Sequence, residues 1–162
     1  MNLLIQHIIQ QLEDIQEGKL WIGSNYKSKL NQVQEQDFFK RPIEDLHSVA
    51  EILSHLTLWR EEAVLKINTG KGSKTDACEE NWLPNDQLKL KGVETIKSDY
   101  NNSLKEIIRL LQQKDDSFLQ QEYYDTDFKG NYTYQWLLNG MIQHDIYHLG
   151  QLGIIIKFLN PK

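Results

Sequence analysis

The chain has 162 residues, 40% of them hydrophobic and 25% charged, the proportions of one globular domain spanning 1–162 and not of a disordered chain. Lys and Arg number 18 against 23 Asp and Glu, a net charge of −5, so neither a basic nucleic-acid footprint nor a polybasic membrane anchor is present. The single cysteine, Cys78, excludes an internal disulfide and a Cys-rich metal site, and it fits a cytoplasmic setting.

Residues 2–16 place Leu4, Ile8, Leu12 and Ile15 at spacings of three and four, a helical stripe that Gly18 ends. Asn, Gln and His break up the apolar residues of this segment, which argues against a signal peptide. No stretch reaches the ~18 apolar residues of a transmembrane helix. A short helix is expected after Ser24, through Tyr26, Leu30 and Val33, and Pro42 interrupts the chain.

Ser48-Val49-Ala50-Glu51 reads as a capping box, in which the Ser oxygen takes one free N–H and the Glu reaches back to the cap. The helix it starts carries Ile52, Leu56, Trp59, Ala63 and Ile67 on its buried face, and Gly70 stops it. The polar stretch 68–91 is expected to be a long loop, either a lid over a site or a plain connection. A third long helix spans about 93–113, with Ile96, Tyr100, Leu104, Ile107, Ile108 and Leu111 as its stripe. Residues 115–132 read as irregular, with short extended pieces around Glu122–Phe128 and a turn at Lys129-Gly130-Asn131. Thr133 caps the last helix, 134–159, whose stripe is Leu137, Met141, Leu152, Ile155 and Leu159, widened by Trp136, Ile142, Leu149 and Ile156. Four long amphipathic helices without a strand set predict an all-α four-helix bundle, and the 68–91 connection is long enough for one crossover.

Five histidines follow the helices: His7, His47, His55, His144 and His148. His144 and His148 are four apart, so they share one face of the last helix one turn apart, and both fall inside its apolar stripe. Two bare imidazoles in a core would each cost about 1–3 kcal/mol, and a shared metal ion removes that cost. The bland alternative is a pair bonded to Tyr, Gln or backbone at the core edge. This is not a zincin motif, because Asp145 and not Glu follows the first His. His55 lies between Ile52 and Trp59 on the core-facing side of its helix, where a third imidazole would leave a metal one or more open positions. His7 and His47 read as ordinary. Glu44-x-x-His47 matches a di-iron pattern once, where two such motifs and further carboxylates are needed. Glu51, one turn before His55, is within reach of a metal, but its cap role already explains it.

The segment Ser48-Val49-Ala50-Glu51-Ile52-Leu53-Ser54-His55-Leu56-Thr57-Leu58-Trp59-Arg60 resembles the second helix of the DinB-like superfamily. His144-Asp145-Ile146-Tyr147-His148-Leu149-Gly150-Gln151 is similar to its fourth-helix signature, and Gly18…Trp21-Ile22-Gly23 fits a common variant. The resemblance covers nearly the whole chain. It implies a four-helix bundle, often a homodimer, with one divalent metal held by His55, His144 and His148. Nickel or zinc, or else iron or manganese, is the implied ion, and imidazoles suit several of these. Relatives of this kind include bacillithiol S-transferases and mycothiol-dependent maleylpyruvate isomerase.

The resemblance therefore implies a thiol S-transferase with a low-molecular-weight thiol co-substrate and a small electrophilic substrate. The alternatives are a non-catalytic stress-response or ligand-binding protein and a metal-dependent hydrolase, with Glu51, Asp145 and Tyr147 as candidate bases. Trp59 would wall the open position or lie in the core, and Gln151, three residues after His148, would orient that ring or face solvent. Gly150 inside a helix, at a cost of about 1 kcal/mol, suggests that another backbone approaches, within the bundle or across a dimer.

Overall fold

The structure, a computed structural model, describes residues 2–161. Six helices are present among them: α1 (Leu3–Gln16), α2 (Tyr26–Leu30), α3 (Val49–Thr69), α4 (Asn85–Lys91), α5 (Val93–Leu111) and α6 (Tyr134–Leu159). The four long ones, α1, α3, α5 and α6, make the bundle. Helix α3 packs on α5 and α6, and α1 packs on α6 and α5. The core holds Ile5, Leu12 and Ile15 of α1 and Ile52, Leu53 and Leu56 of α3. Tyr100 and Ile107 of α5 and Leu138 and Leu152 of α6 complete it. No helix among the described residues is long and apolar enough to cross a membrane.

The helix ends follow from their chemistry. At α3 the Glu51 amide donates to Ser48 Oγ at 3.1 Å and the Ser48 amide donates to Glu51 Oε2 at 2.7 Å. At its far end Gly70 sits at φ 72°, where a left-handed residue closes the helix and a side chain would be strained. Thr133 Oγ1 accepts from the Trp136 amide and caps α6.

Two segments carry more structure than their sequence predicts. The 68–91 stretch is not a bare loop: it holds a 3₁₀ turn at Glu79–Trp82 and all of α4, whose Leu88 is fully buried. The 115–132 stretch ends in a two-stranded antiparallel hairpin, β1 (Glu122–Asp125) with β2 (Gly130–Thr133), Tyr123 opposite Tyr132. Residues 70–72 join this hairpin, since the Tyr124 amide donates to Gly70 O and the Gly72 amide donates to Tyr124 O, both at 2.9 Å. Gly72 lies so close to α3 that a Cβ would come within 2.7 Å of Glu62 and Lys66 side-chain atoms. The hairpin is thereby fixed to the bundle beside the first turns of α6.

Trp136 departs from the expected stripe. It is 42% exposed and stacks on Tyr132 with ring centroids 4.4 Å apart, because the hairpin occupies the side it would otherwise bury. Gly150 is also exposed, and nothing lies within 4 Å of a Cβ built on it, so no close approach within the protomer explains it.

Candidate metal centre

Helix α3 presents His55 and helix α6 presents His144 and His148 to one point. His55 Nε2 lies 2.9 Å from His144 Nε2, and His148 Nε2 lies 3.0 Å from it. The three donor atoms fall within 4.8 Å of one another. His55 and His148 are buried, and His144 is half-buried. His55 and His144 are 89 positions apart in sequence, and together with His148 they could hold a metal ion.

Their outer nitrogens decide the chemistry. His55 Nδ1 donates to the backbone carbonyl of Asn81 at 3.0 Å, and His148 Nδ1 donates to Gln151 Oε1 at 2.7 Å. Each bond puts the proton on Nδ1, leaving Nε2 of both rings as a bare lone pair aimed at His144 Nε2. One proton on His144 can satisfy only one of them. Burial, then the neighbouring imidazoles, pushes His144 down to about 3 and His148 to about 4, and burial lowers His55 as well. All three rings are therefore neutral at pH 7, the state in which imidazole ligates. The donor set fits a divalent ion.

The surroundings of the triad include residues that the sequence pattern did not single out. Trp82 stacks on His55, centroids 3.9 Å apart and planes 5° from parallel. His47, which reads as ordinary in sequence, stacks on the opposite face of Trp82 at 3.6 Å. Asn81, buried, holds three partners: its carbonyl takes His55, its Oδ1 accepts from Trp59 Nε1 at 2.9 Å, and its Nδ2 donates to Asp76. The residue type alone could have flagged Asn81, but no periodicity places a 3₁₀ turn over a helix.

The remaining candidates fall as follows. Trp59 is half-buried and lines the same cavity as the triad. Gln151 is the partner of His148. Glu51 is buried, but both its oxygens accept from Arg41 and one from the Ser48 amide. Burial would raise its pKa, yet these donors hold it below the usual carboxylate value. Asp145 is buried away from the site against Arg60, Nη2 to Oδ2 2.8 Å. Tyr147 is exposed at the cavity edge. His7 and Glu44 are exposed, and Cys78 lies in the 71–84 segment outside the triad.

A cavity of about 820 Å³ opens over the triad. Its walls come from α3, α6, the 3₁₀ turn with Trp82 and the hairpin loop with Asp127 and Phe128.

Comparison with known proteins agrees with this architecture. The family model for the DinB superfamily matches residues 24–152, which include all three histidines. The chain belongs to the DinB superfamily. A crystal structure of a DinB-like protein, YjoA from Bacillus subtilis, superposes with a TM-score of 0.63 at 14% identity, over 98% of this chain and 92% of that one. At that identity the likeness is one of fold. A search of curated proteins finds no match.

Proposed function

We propose that the protein binds one divalent metal ion through His55, His144 and His148 and uses it as a thiol S-transferase on small electrophiles. The observation that carries the reading is the pair of bare Nε2 lone pairs of His55 and His148 facing His144 at 2.9 and 3.0 Å. Zinc or nickel suits this all-imidazole set, as iron or manganese does with weaker affinity. Held by these three neutral imidazoles, a divalent ion would supply the positive charge that lowers the pKa of a thiol and favours its nucleophilic thiolate.

The chain's own residues shape what happens there. Asn81 and Gln151 fix the tautomers and the ring orientations of His55 and His148. Trp82, packed flat on His55, closes one side of the site, and Trp59 and Met141 keep the cavity wall apolar. Hydrolysis would benefit from a general base, and two of the carboxylates nearest in sequence are engaged, Glu51 by Arg41 and Asp145 by Arg60. The reading includes a cytoplasmic setting and a homodimer formed through the exposed face of α6.

The test is elemental analysis of protein purified without added metal, followed by thiol conjugation to a generic electrophile. About one divalent ion per chain and an acceleration abolished by a chelator are expected. In cobalt-substituted protein the thiol should add a sulfur charge-transfer band. Metal without either effect would leave a non-catalytic metal-binding protein.

A further inference from the structure

The cavity extends from the triad to the hairpin loop that carries Asp127 and Phe128. At the loop Trp136 and Phe128 line the cavity together with Asp76, Asp125 and Asp127, while the Trp59 ring already has Lys66 Nζ 6.0 Å from its centroid. Phe128 is 58% exposed and Trp136 42%, and their rings stand edge to face with centroids 5.2 Å apart. Rings left this open beside a cavity are surfaces for a ligand, since a core would have covered them.

The charges beside these rings do not cancel. Lys66 is the one ammonium among the cavity-lining residues, and it is 4% exposed, engaged by Asp125 Oδ2 at 2.8 Å and Glu62 at 3.9 Å. Asp125 is fully used: Oδ2 accepts also from Tyr123, and Oδ1 accepts from the amides of Asp127 and Phe128 at 2.9 and 3.0 Å. This buried carboxylate therefore sets where Asp127 and Phe128 stand.

Asp76 and Asp127 remain. Asp127 Oδ1 accepts from the Asp76 amide and Asp76 Oδ1 from Asn81 Nδ2, each at 2.8 Å. Neither forms an ion pair with Lys, Arg or His among the described residues. Two uncompensated carboxylates are thus held in place next to electron-rich ring faces. An ammonium gains from both, by Coulomb attraction to the carboxylates and by the ring quadrupole, and a carboxylate gains from neither.

We propose that the substrate class of this site is a small organic cation: an apolar or aromatic body bearing a protonated or quaternary amine, seated between Trp136, Phe128 and Asp127 with its other end toward the histidines. The inference rests on the metal-centred reading above, and it adds charge selectivity to it.

The experiment titrates zinc-loaded protein with benzyltrimethylammonium and with neutral benzyl alcohol, following tryptophan fluorescence, with metal content measured on the same samples. The cation cannot ligate a metal, so its binding reports this end of the cavity alone. It should bind at least tenfold more tightly than the alcohol. Asp127→Asn should remove most of that preference and leave the alcohol unchanged, and Phe128→Ala should weaken both. Asp76→Asn is the second charge variant, should Asp127→Asn perturb the helical circular dichroism. Equal binding of cation and alcohol, or a preference surviving in both charge variants, overturns the proposal. Absence of bound zinc with the cation preference intact would instead overturn the metal reading, because the same walls are present in the metal-free protein.

Discussion

The backbone carbonyl of Asn81 accepts a hydrogen bond from His55 Nδ1 at 3.0 Å, although the two residues are 26 positions apart and lie on different elements. The 3₁₀ turn is thus the outer support of a site whose donors sit on α3 and α6. Gln151 does the same for His148 from within α6, at 2.7 Å. Neither residue would touch the metal. Each fixes which nitrogen is left to do so.

Replacing Gln151 with Ala should therefore weaken metal binding about 10–100-fold, the usual effect of losing an outer hydrogen-bond partner. Gln151→Glu, which keeps the acceptor, should restore it. Competition with a chromogenic chelator measures both. An unchanged affinity in Gln151→Ala would mean that packing alone orients His148.

His144→Ala should lose most of the metal and keep the helical signal. Its ring is half-buried at the cavity and touches α3 only at His55, while α6 is held in the bundle by the buried Leu138, Leu149 and Leu152. Metal content and far-ultraviolet circular dichroism on one sample decide it. Full metal content in the variant would remove the triad as the site.

The helices and the triad were readable in the sequence for one physical reason. The 3.6-residue period forces His55, His144 and His148 onto inward faces once Ile52, Leu56, Met141 and Leu152 are recognised as core. What carries no period was not readable. Asn81 and Trp82 lie in a short 3₁₀ turn, and His47 just before a cap, so the stack of His47, Trp82 and His55 exists only through tertiary contact. The hairpin strands are four residues each, too short for alternation to stand out, and their anchor pairs Lys66 with Asp125 across 59 positions. Trp136 looked like core because the pattern cannot show that a hairpin takes its place.

Acid should destabilise the metal-free protein from about pH 6.5 downward. Burial holds His144 at about 3 and His148 at about 4, against about 6.5 in an unfolded chain. Between those values the unfolded state binds more protons than the native one, so stability rises with pH and is lost as pH falls. Melting temperatures of metal-free protein between pH 7 and 4.5 should show this slope, and His144→Ala should flatten it. Equal slopes in the two proteins would show that other groups govern the acid response.

Lys66→Met should cost about 3–5 kcal/mol, because it strands Asp125 as a buried charge without its ammonium. The pair is 2.8 Å apart with side chains 5% and 1% exposed, so water screens it little. Urea denaturation measures the loss. A change of about 1 kcal/mol or less, typical of a solvent-exposed pair, would mean that water reaches Asp125. The same variant should loosen the loop carrying Asp127 and Phe128, since both amides hang from Asp125.

The outer face of α6 supports the last expectation, a dimer at micromolar concentration. Ile146, Ile154 and Phe158 are 42%, 51% and 53% exposed, and successive gaps of eight and four put them along one side of the helix. Gly150 lies between Ile146 and Ile154 on that side, with open space where its Cβ would be. Glycine in mid-helix costs about 1 kcal/mol relative to Ala, and nothing inside the protomer offsets that cost here. Contact with a second copy would, by letting two α6 backbones approach and covering the three apolar side chains on each. Sedimentation should give a species of twice 19.1 kDa. Ile154→Glu should convert it to a monomer without changing metal content, because Ile154 is exposed and at ~100° per residue projects from a different face of α6 than His144 and His148. Wild-type protein sedimenting as a 19.1 kDa species would rule out this interface.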